Sequence, residues 1–350
     1  MKKLLFLLSV LLLSSKAFSA TLITEYFDRN VFQRLDTAGA DSEVIRYSGN
    51  NSSAGLSTKF NWGAFHNGTS GTIAYGASGA LQFNTSAPVL GSFAYTRFDT
   101  TAWTEAAATT NHFDNSYGLT LDAANGAAVL DIMSNTAPDV KFGLLLHTGG
   151  SWYESSPFSI GTGQRTVDVS ISPLTWTTVL PGDIDDADNK GESSLTYGAA
   201  ATPTLSACDG MGLVVKEPTT ANGYAVQVDS ITIGQVPKPA GLTAVASQYP
   251  ATNVDLSWSA INDSNRPVTG YAVYRATTTG GPYTKLTAAG FTGTSYTDAT
   301  ATPGTTFYYV VRGTYDNATA NKPAYTLASS EVQAMVTKPF TAAQRWTMFK

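Results

Sequence analysis

The sequence predicts an all-β protein made of two β-sandwiches in series, and three observations predict it. Helical periodicity is almost missing from residues 21–234. Short apolar runs in that stretch are separated by Gly, Asn, Asp, Ser and Pro, the punctuation of short strands. A joint at Val236-Pro237-Lys238-Pro239 then divides the chain, because two prolines one residue apart remove backbone donors and stiffen it toward polyproline geometry.

In chain order, Met1-Lys2-Lys3, the apolar residues 4–13 and the small polar residues 14–20 have the charged, apolar and cleavable parts of a secretory signal peptide. Removal of residues 1–19 is expected, with a cut after Ala17 as the rival to one after Ser19. Losing Lys2, Lys3 and Lys16 takes the formal charge from −5 to −8, an acidic balance that argues against nucleic acid as a partner. No other apolar run approaches the roughly 20 residues that span a bilayer, so no membrane span is expected. The expected location is secreted or at the cell surface. Cys208 is the only cysteine, which rules out an intrachain disulfide and reads as a structural thiol.

Residues 20–235 form the first domain. Candidate strands are 22–27, 73–75, 80–83, 93–98, 117–121, 128–133, 140–147, 165–171, 176–180, 211–215 and 224–233. About eleven strands in this length suit a two-sheet jelly roll. The last of them alternates apolar and polar residues at Val226, Val228, Ile231 and Ile233, with one slip near Asp229. Residues 101–110 are Ala-rich and could make a helical turn. Residues 236–240 are the linker.

The second domain, 241–338, carries Leu256-Ser257-Trp258, then Gly270-Tyr271-Ala272-Val273-Tyr274-Arg275, then Pro303-Gly304-Thr305-Thr306-Phe307-Tyr308-Tyr309-Val310-Val311-Arg312. Over about 100 residues this resembles a fibronectin type III domain, an Ig-like sandwich. The two-residue strand period should turn Leu256, Trp258, Tyr271, Val273, Phe307, Tyr309 and Val311 into one core. Phe307 stands where the family usually has a tyrosine whose hydroxyl bonds back at the corner. That corner bond is expected to be absent, at a cost of about 1 kcal/mol. The tail, 339–350, contains Gln344-Arg345-Trp346, similar to the start of an Asp-rich, calcium-binding region that follows such domains in some exported bacterial proteins. This suggests a shortened part of a longer multidomain architecture.

Catalytic signatures are missing: there is no Glu-x-Asp-x-x-Glu strand, no G-x-S-x-G elbow and no H-E-x-x-H helix, and His66, His112 and His147 are far apart in sequence. The positive signal is aromatic. Trp62 with Phe65, Trp103, and Trp152 with Tyr153 are candidate ligand residues, since flat rings with a polar rim bind the apolar faces of sugars. Trp62 and Trp152 lie in Gly/Asn/Ser-rich contexts that read as loops or strand entrances, whereas Trp176 is assigned to the core. Residues 140–147, Trp152-Tyr153-Glu154-Ser155 and Leu174-Thr175-Trp176 are similar in style to jelly-roll carbohydrate-binding modules of exported bacterial proteins. This likeness transfers no residue role.

Asp183, Asp185, Asp186 and Asp188 cluster in one loop, which suits either calcium or plain solvation, without EF-hand spacing. Asp28 and Asp229 could meet across terminal strands, and the likeness to carbohydrate-binding modules implies a structural Ca2+ there. The leading expectation is a secreted, non-catalytic protein that binds a polysaccharide or cell-surface glycan, with the fibronectin-like domain as spacer or protein-contact module. The rivals are a glycan-active enzyme using loop carboxylates such as Glu154 and Asp185, and a structural or adhesion protein whose partner is another protein.

Overall fold

The structure, a computed structural model, describes residues 18–20, 22–25, 27, 33–37, 51–53, 56–58, 61–65, 72–75, 80–85, 91–97, 117–122, 124–179, 195–217, 223–263, 267–317 and 322–338. Its first strands are β1 (Phe18–Ala20), β2 (Leu22–Glu25), β3 (Gln33–Thr37), β4 (Asn51–Ser53), β5 (Leu56–Thr58), β6 (Asn61–Phe65), β7 (Thr72–Tyr75), β8 (Leu81–Thr85), β9 (Phe93–Arg97) and β10 (Tyr117–Leu119). There follow β11 (Ala127–Asn135), β12 (Lys141–Thr148), β13 (Ser151–Ser155), β14 (Phe158–Ser159), β15 (Arg165–Ser170), β16 (Trp176–Val179), β17 (Tyr197–Ala200), β18 (Cys208–Glu217) and β19 (Tyr224–Gly234). The second domain contains β20 (Ala240–Ala246), β21 (Val254–Ser259), β22 (Gly270–Ala276), β23 (Thr284–Lys285), β24 (Ser295–Asp298), β25 (Thr306–Asn317), β26 (Lys322–Tyr325) and β27 (Val332–Met335).

The chain is all-β, as the punctuation of its apolar runs predicts. Every candidate strand of the first domain is present, with ends shifted by a few residues. The Ala-rich stretch 101–110 lies outside the described residues. In the first sheet β18 is central, flanked by β12 on one side and by β9 and then β6 on the other, and the sheet continues from β12 through β13 and β16 to β17. The second sheet runs β15-β11-β19-β8-β7-β3, with β2 also on β19. Alternation fills the space between them: Phe142, Leu144 and Leu146 of β12 and Leu213 and Val215 of β18 meet Leu130, Ile132, Ile231 and Ile233 of the other sheet. Phe83 and Phe142 touch across the gap with ring centroids 5.3 Å apart. Trp176 belongs to this core, as assigned from the sequence. The slip near Asp229 is a β-bulge, because Asp131 pairs with Ser230 and Ile132 with Val228, which leaves Asp229 unopposed.

In the second domain β20-β21-β24 form one sheet and β23-β22-β25-β26, with β27 on β25, the other. Leu256, Trp258, Tyr271, Val273, Phe307, Tyr309 and Val311 share one core, as their two-residue spacing requires. Phe307 offers no hydroxyl and is instead covered by the Arg275 guanidinium, 4.4 Å from its ring centroid. The hydroxyl appears two residues later: Tyr309 donates to Asp298 at 2.9 Å, and Arg275 donates to the same carboxylate at 2.7 Å. The two sheets of this domain are thus tied by charge-assisted bonds to Asp298 that the motif alone did not place there.

The two domains pack face to face. On β11, Ala128, Leu130 and Ile132 enter the first core, while Ala127 and Val129 point the other way into a cluster with Leu22, Val236, Ala272, Tyr315, Ala324 and Tyr325. Both faces of this strand are buried, so its sequence is a nearly continuous apolar run. The linker is part of the contact: Val236 is buried in the cluster, and Leu327 N–H donates to the Pro237 carbonyl at 3.0 Å. Each buried Val or Leu is worth about 1.5–3 kcal/mol relative to exposure, enough for the cluster to hold the domains together.

Candidate functional site: the outward face of the first sheet

The residues that leave the first core on the alternate positions of β9, β12, β13, β16 and β18 form a cluster of their own: Phe93, Tyr95, Leu145, Trp152, Val179 and Val214, joined by Leu195. Gly212 makes room for it. Paired with Tyr95 and Leu145, it approaches β9 so closely that a Cβ would lie 2.5 Å from the Ala94 carbonyl oxygen. Trp152 sits edge-on to Tyr95 (5.6 Å) and to His147 (5.1 Å).

Gly149 and Gly150, both with positive φ, make the two-residue turn between β12 and β13, and Thr148 pairs with Ser151 across it. Trp152 therefore lies at the entrance of the returning strand, one of the two places its glycine-rich context suggested, but is only 6% exposed. Its neighbour Tyr153, on the opposite face by alternation, is half-buried and packs against the first core. The buried indole N–H of Trp152 has no hydrogen-bond partner among the described residues. Leaving such a donor unmet costs about 1–3 kcal/mol, and the indole N–H of Trp258 in the second domain's core is likewise without a partner among the described residues.

Polar groups surround this ring. His147 Nδ1 and Asp209 Oδ1 are 2.5 Å apart, both residues being buried. Glu154 has both oxygens engaged: Lys216 pairs with Oε1, and the Tyr197 hydroxyl donates to Oε2 at 2.5 Å. Lys216 also donates to that hydroxyl at 3.1 Å and lies 4.7 Å from the ring centroid. Tyr197, on the strand β17 at the end of the sheet, is 41% exposed and is the open aromatic of the group. Sequence reasoning missed Tyr197, Lys216 and Asp209. The alternate glycines of Asp209-Gly210-Met211-Gly212 were the available signal, since they vacate one face of β18 for rings from its neighbours.

Trp62 and Phe65 lie on β6, paired in register with Thr96 and Phe93 respectively. This puts the β6 backbone beside the β9 end of the same sheet. Trp103, Asp28, Asp183, Asp185, Asp186 and Asp188 lie outside the described residues. Asp229 is held by its bulge near Asp131 of β11. Among the described residues no group of three or more His, Cys, Asp or Glu side chains is placed to hold a metal ion, and no helix is long and apolar enough to cross a membrane.

Strand order decides the class of the second domain, which pairs a three-stranded sheet with a second sheet centred on β22 and β25. The chain has a fibronectin type III-like component. No family model and no curated protein matches the sequence. Among solved structures, it is similar to an Fn3-like protein from Clostridium thermocellum, at 33% identity over 29% of this chain and 95% of that one, with a TM-score of 0.23. It is also similar to the glycoside hydrolase domain of Endo-D from Streptococcus pneumoniae, at 11% identity over 91% of this chain and 44% of that one, TM-score 0.30. A β-1,2-glucanase from Parabacteroides distasonis matches at 12% identity over 94% and 40%, TM-score 0.26.

Proposed function

We propose that this is an exported, non-catalytic glycan-binding protein whose fibronectin type III-like domain braces the binding domain. The observation that carries the reading is the exposed Tyr197 ring at the edge of the aromatic face, with Lys216 and Glu154 hydrogen-bonded beside it. A saccharide offers a C–H face for the Tyr197 ring and hydroxyls for the Lys216 and Glu154 groups beside it. The enzymatic rival loses ground because Glu154 has both oxygens bound by Lys216 and Tyr197. Export and a structural Ca2+ at Asp28 and Asp229 belong to the same proposal, and an unchanged melting temperature on adding chelator would count against the ion.

The test is affinity gel electrophoresis of the chain through a panel of soluble polysaccharides. Retardation by at least one polymer, without loss of the polymer, is expected. Trp152→Phe, which replaces the indole with a smaller ring and removes the N–H, should reduce retardation at a small cost in stability, and Tyr197→Ala should reduce it at unchanged melting. Retardation that ignores both substitutions, or digestion of the embedded polymer, would overturn the reading.

A further inference from the structure

A second concavity, of about 480 Å³, opens where the two domains meet. Its first wall is β15 and the turn before it, with Gln164, Arg165, Thr166 and Asp168. The facing wall comes from β22, β25, the 279–283 turn and the segment before β27, and includes Tyr274, Tyr283, Arg312 and Glu331.

These walls are fixed before any ligand arrives. Arg312, 7% exposed, donates to Asp168 at 2.5 Å and to the Thr326 carbonyl at 2.9 Å, and Ala328 N–H donates to the other Asp168 oxygen at 3.1 Å. Asp168 thus joins the two domains at the floor of the cleft. On the far side, Glu331 accepts from the Thr279 hydroxyl at 2.7 Å, from Gly280 N–H at 2.9 Å and from the Tyr283 hydroxyl. Burial pushes the Glu331 carboxyl up, but the Tyr283, Thr279 and Gly280 bonds outweigh it and hold it below the usual carboxylate range. The 279–283 turn, and the Tyr283 ring with it, is thereby pinned.

The lining also limits the occupant. Two guanidiniums, Arg165 and Arg312, are balanced by two carboxylates, Asp168 and Glu331, and the buried guanidinium is already neutralised by Asp168. An anion would therefore find no net positive field, and an apolar ligand would strip water from hydroxyl, amide and charged groups without replacing their hydrogen bonds. A neutral polyhydroxylated ligand meets neither cost. Cavities for small ligands run from about 300 to 1,000 Å³ and favour domain interfaces, so size and place agree.

We infer that the interdomain cleft is a second binding site, distinct from the outward face of the first sheet, that takes the end of a neutral oligosaccharide. The inference deepens the glycan-binding reading and rests on it. Each domain supplies one wall, so the fibronectin type III-like domain acts as part of the binding surface and not as a spacer.

The test is isothermal titration of the full chain with short neutral oligosaccharides and with matched uronic-acid oligosaccharides. Gln164→Trp and Ala328→Trp fill the cleft from opposite walls, and Tyr197→Ala disables the outward face. The expected result is binding of a neutral oligosaccharide that survives Tyr197→Ala and weakens roughly tenfold or more in each Trp variant. Intermolecular NOEs from saccharide protons to the Tyr283 ring in the unsubstituted chain should report the same contact without any variant. Binding abolished by Tyr197→Ala and untouched by the Trp variants would overturn the cleft and leave the outward-face reading standing. Absence of the Tyr283 NOEs at saturation, or preference for the uronic acids, would also overturn it. A chain that binds no saccharide at all would end both.

Discussion

The two sheets of the first sandwich have outward faces that are closed in opposite ways. On the second sheet Leu22, Ala127 and Val129 are covered by Tyr315, Tyr325 and Ala324 of the other domain, and the charged rim is tied by Arg312 and Asp168. On the first sheet the covering is aromatic and local, with Trp152 wedged between Tyr95 and His147, and one donor is left unmet. The charged rim of the joint face is paired across the two domains, whereas the polar groups beside the aromatic face pair within one sheet. The contrast separates a face covered by another domain from one covered by its own strands, although both are rich in aromatic rings.

The largest expected effect comes from emptying the aromatic face. Trp152→Ala should cost about 3–5 kcal/mol of unfolding free energy, the usual range for removing a buried tryptophan, measured by denaturant titration. Trp152→Phe should cost far less, because it keeps most of the packing and removes an unpaired donor. If the two variants lost equal stability, the N–H would not be orphaned and the contrast between the faces would fail.

The joint face has its own weak point at Asp131. Burial, and after it the neighbouring Asp229 carboxylate, push its pKa up to about 7, against the Thr166 hydroxyl and the Arg312 and Lys285 charges. A carboxyl raised above its unfolded value of 3.8 binds more protons in the folded state. Stability therefore falls as pH rises from about 4 to about 7 and stays low above that. Asp131→Asn removes this dependence, so its stabilising effect should be larger at about pH 8 than at about pH 5, by roughly 3 kcal/mol. Equal gains at the two pH values would mean that Asp131 titrates normally. A smaller effect is expected from Arg312→Leu, about 2 kcal/mol, because Asp168 keeps some exposure that softens the loss of a buried partner. Denaturant titration of the variant beside the unsubstituted chain checks this.

Much of this organisation was legible in the chain. The slip at Asp229 in an otherwise alternating strand is the bulge itself, and the apolar run of residues 128–133, broken only by Asp131, belongs to a strand buried on both faces. Gly149-Gly150 correctly marks a turn. What it could not tell was whether Trp152 still belonged to that turn, since a two-residue hairpin restarts the strand at once. The docking of the domains was less legible for a different reason. Val129, Tyr315 and Tyr325 come from three distant segments, each of which reads as an ordinary strand, and only the folded topology brings them together. Pro237 and Pro239 suggested separation, yet the stiff linker they make is what the Leu327 N–H fastens to.

The smallest effect concerns the second domain, where the corner bond was expected to be missing. Tyr309 is fully buried and its hydroxyl donates to Asp298, itself held by Arg275 and by the Thr300 hydroxyl and N–H. Tyr309→Phe should therefore cost about 1 kcal/mol, since Asp298 keeps its other donors. Phe307→Tyr, which restores the usual family residue, should gain nothing, because Arg275 already occupies the ring it would alter. A gain from Phe307→Tyr with no loss from Tyr309→Phe would show that the tie at Asp298 contributes nothing and that the corner is open. The reverse result would establish that this sandwich has moved its tyrosine bond two residues along the strand, from the turn into the core.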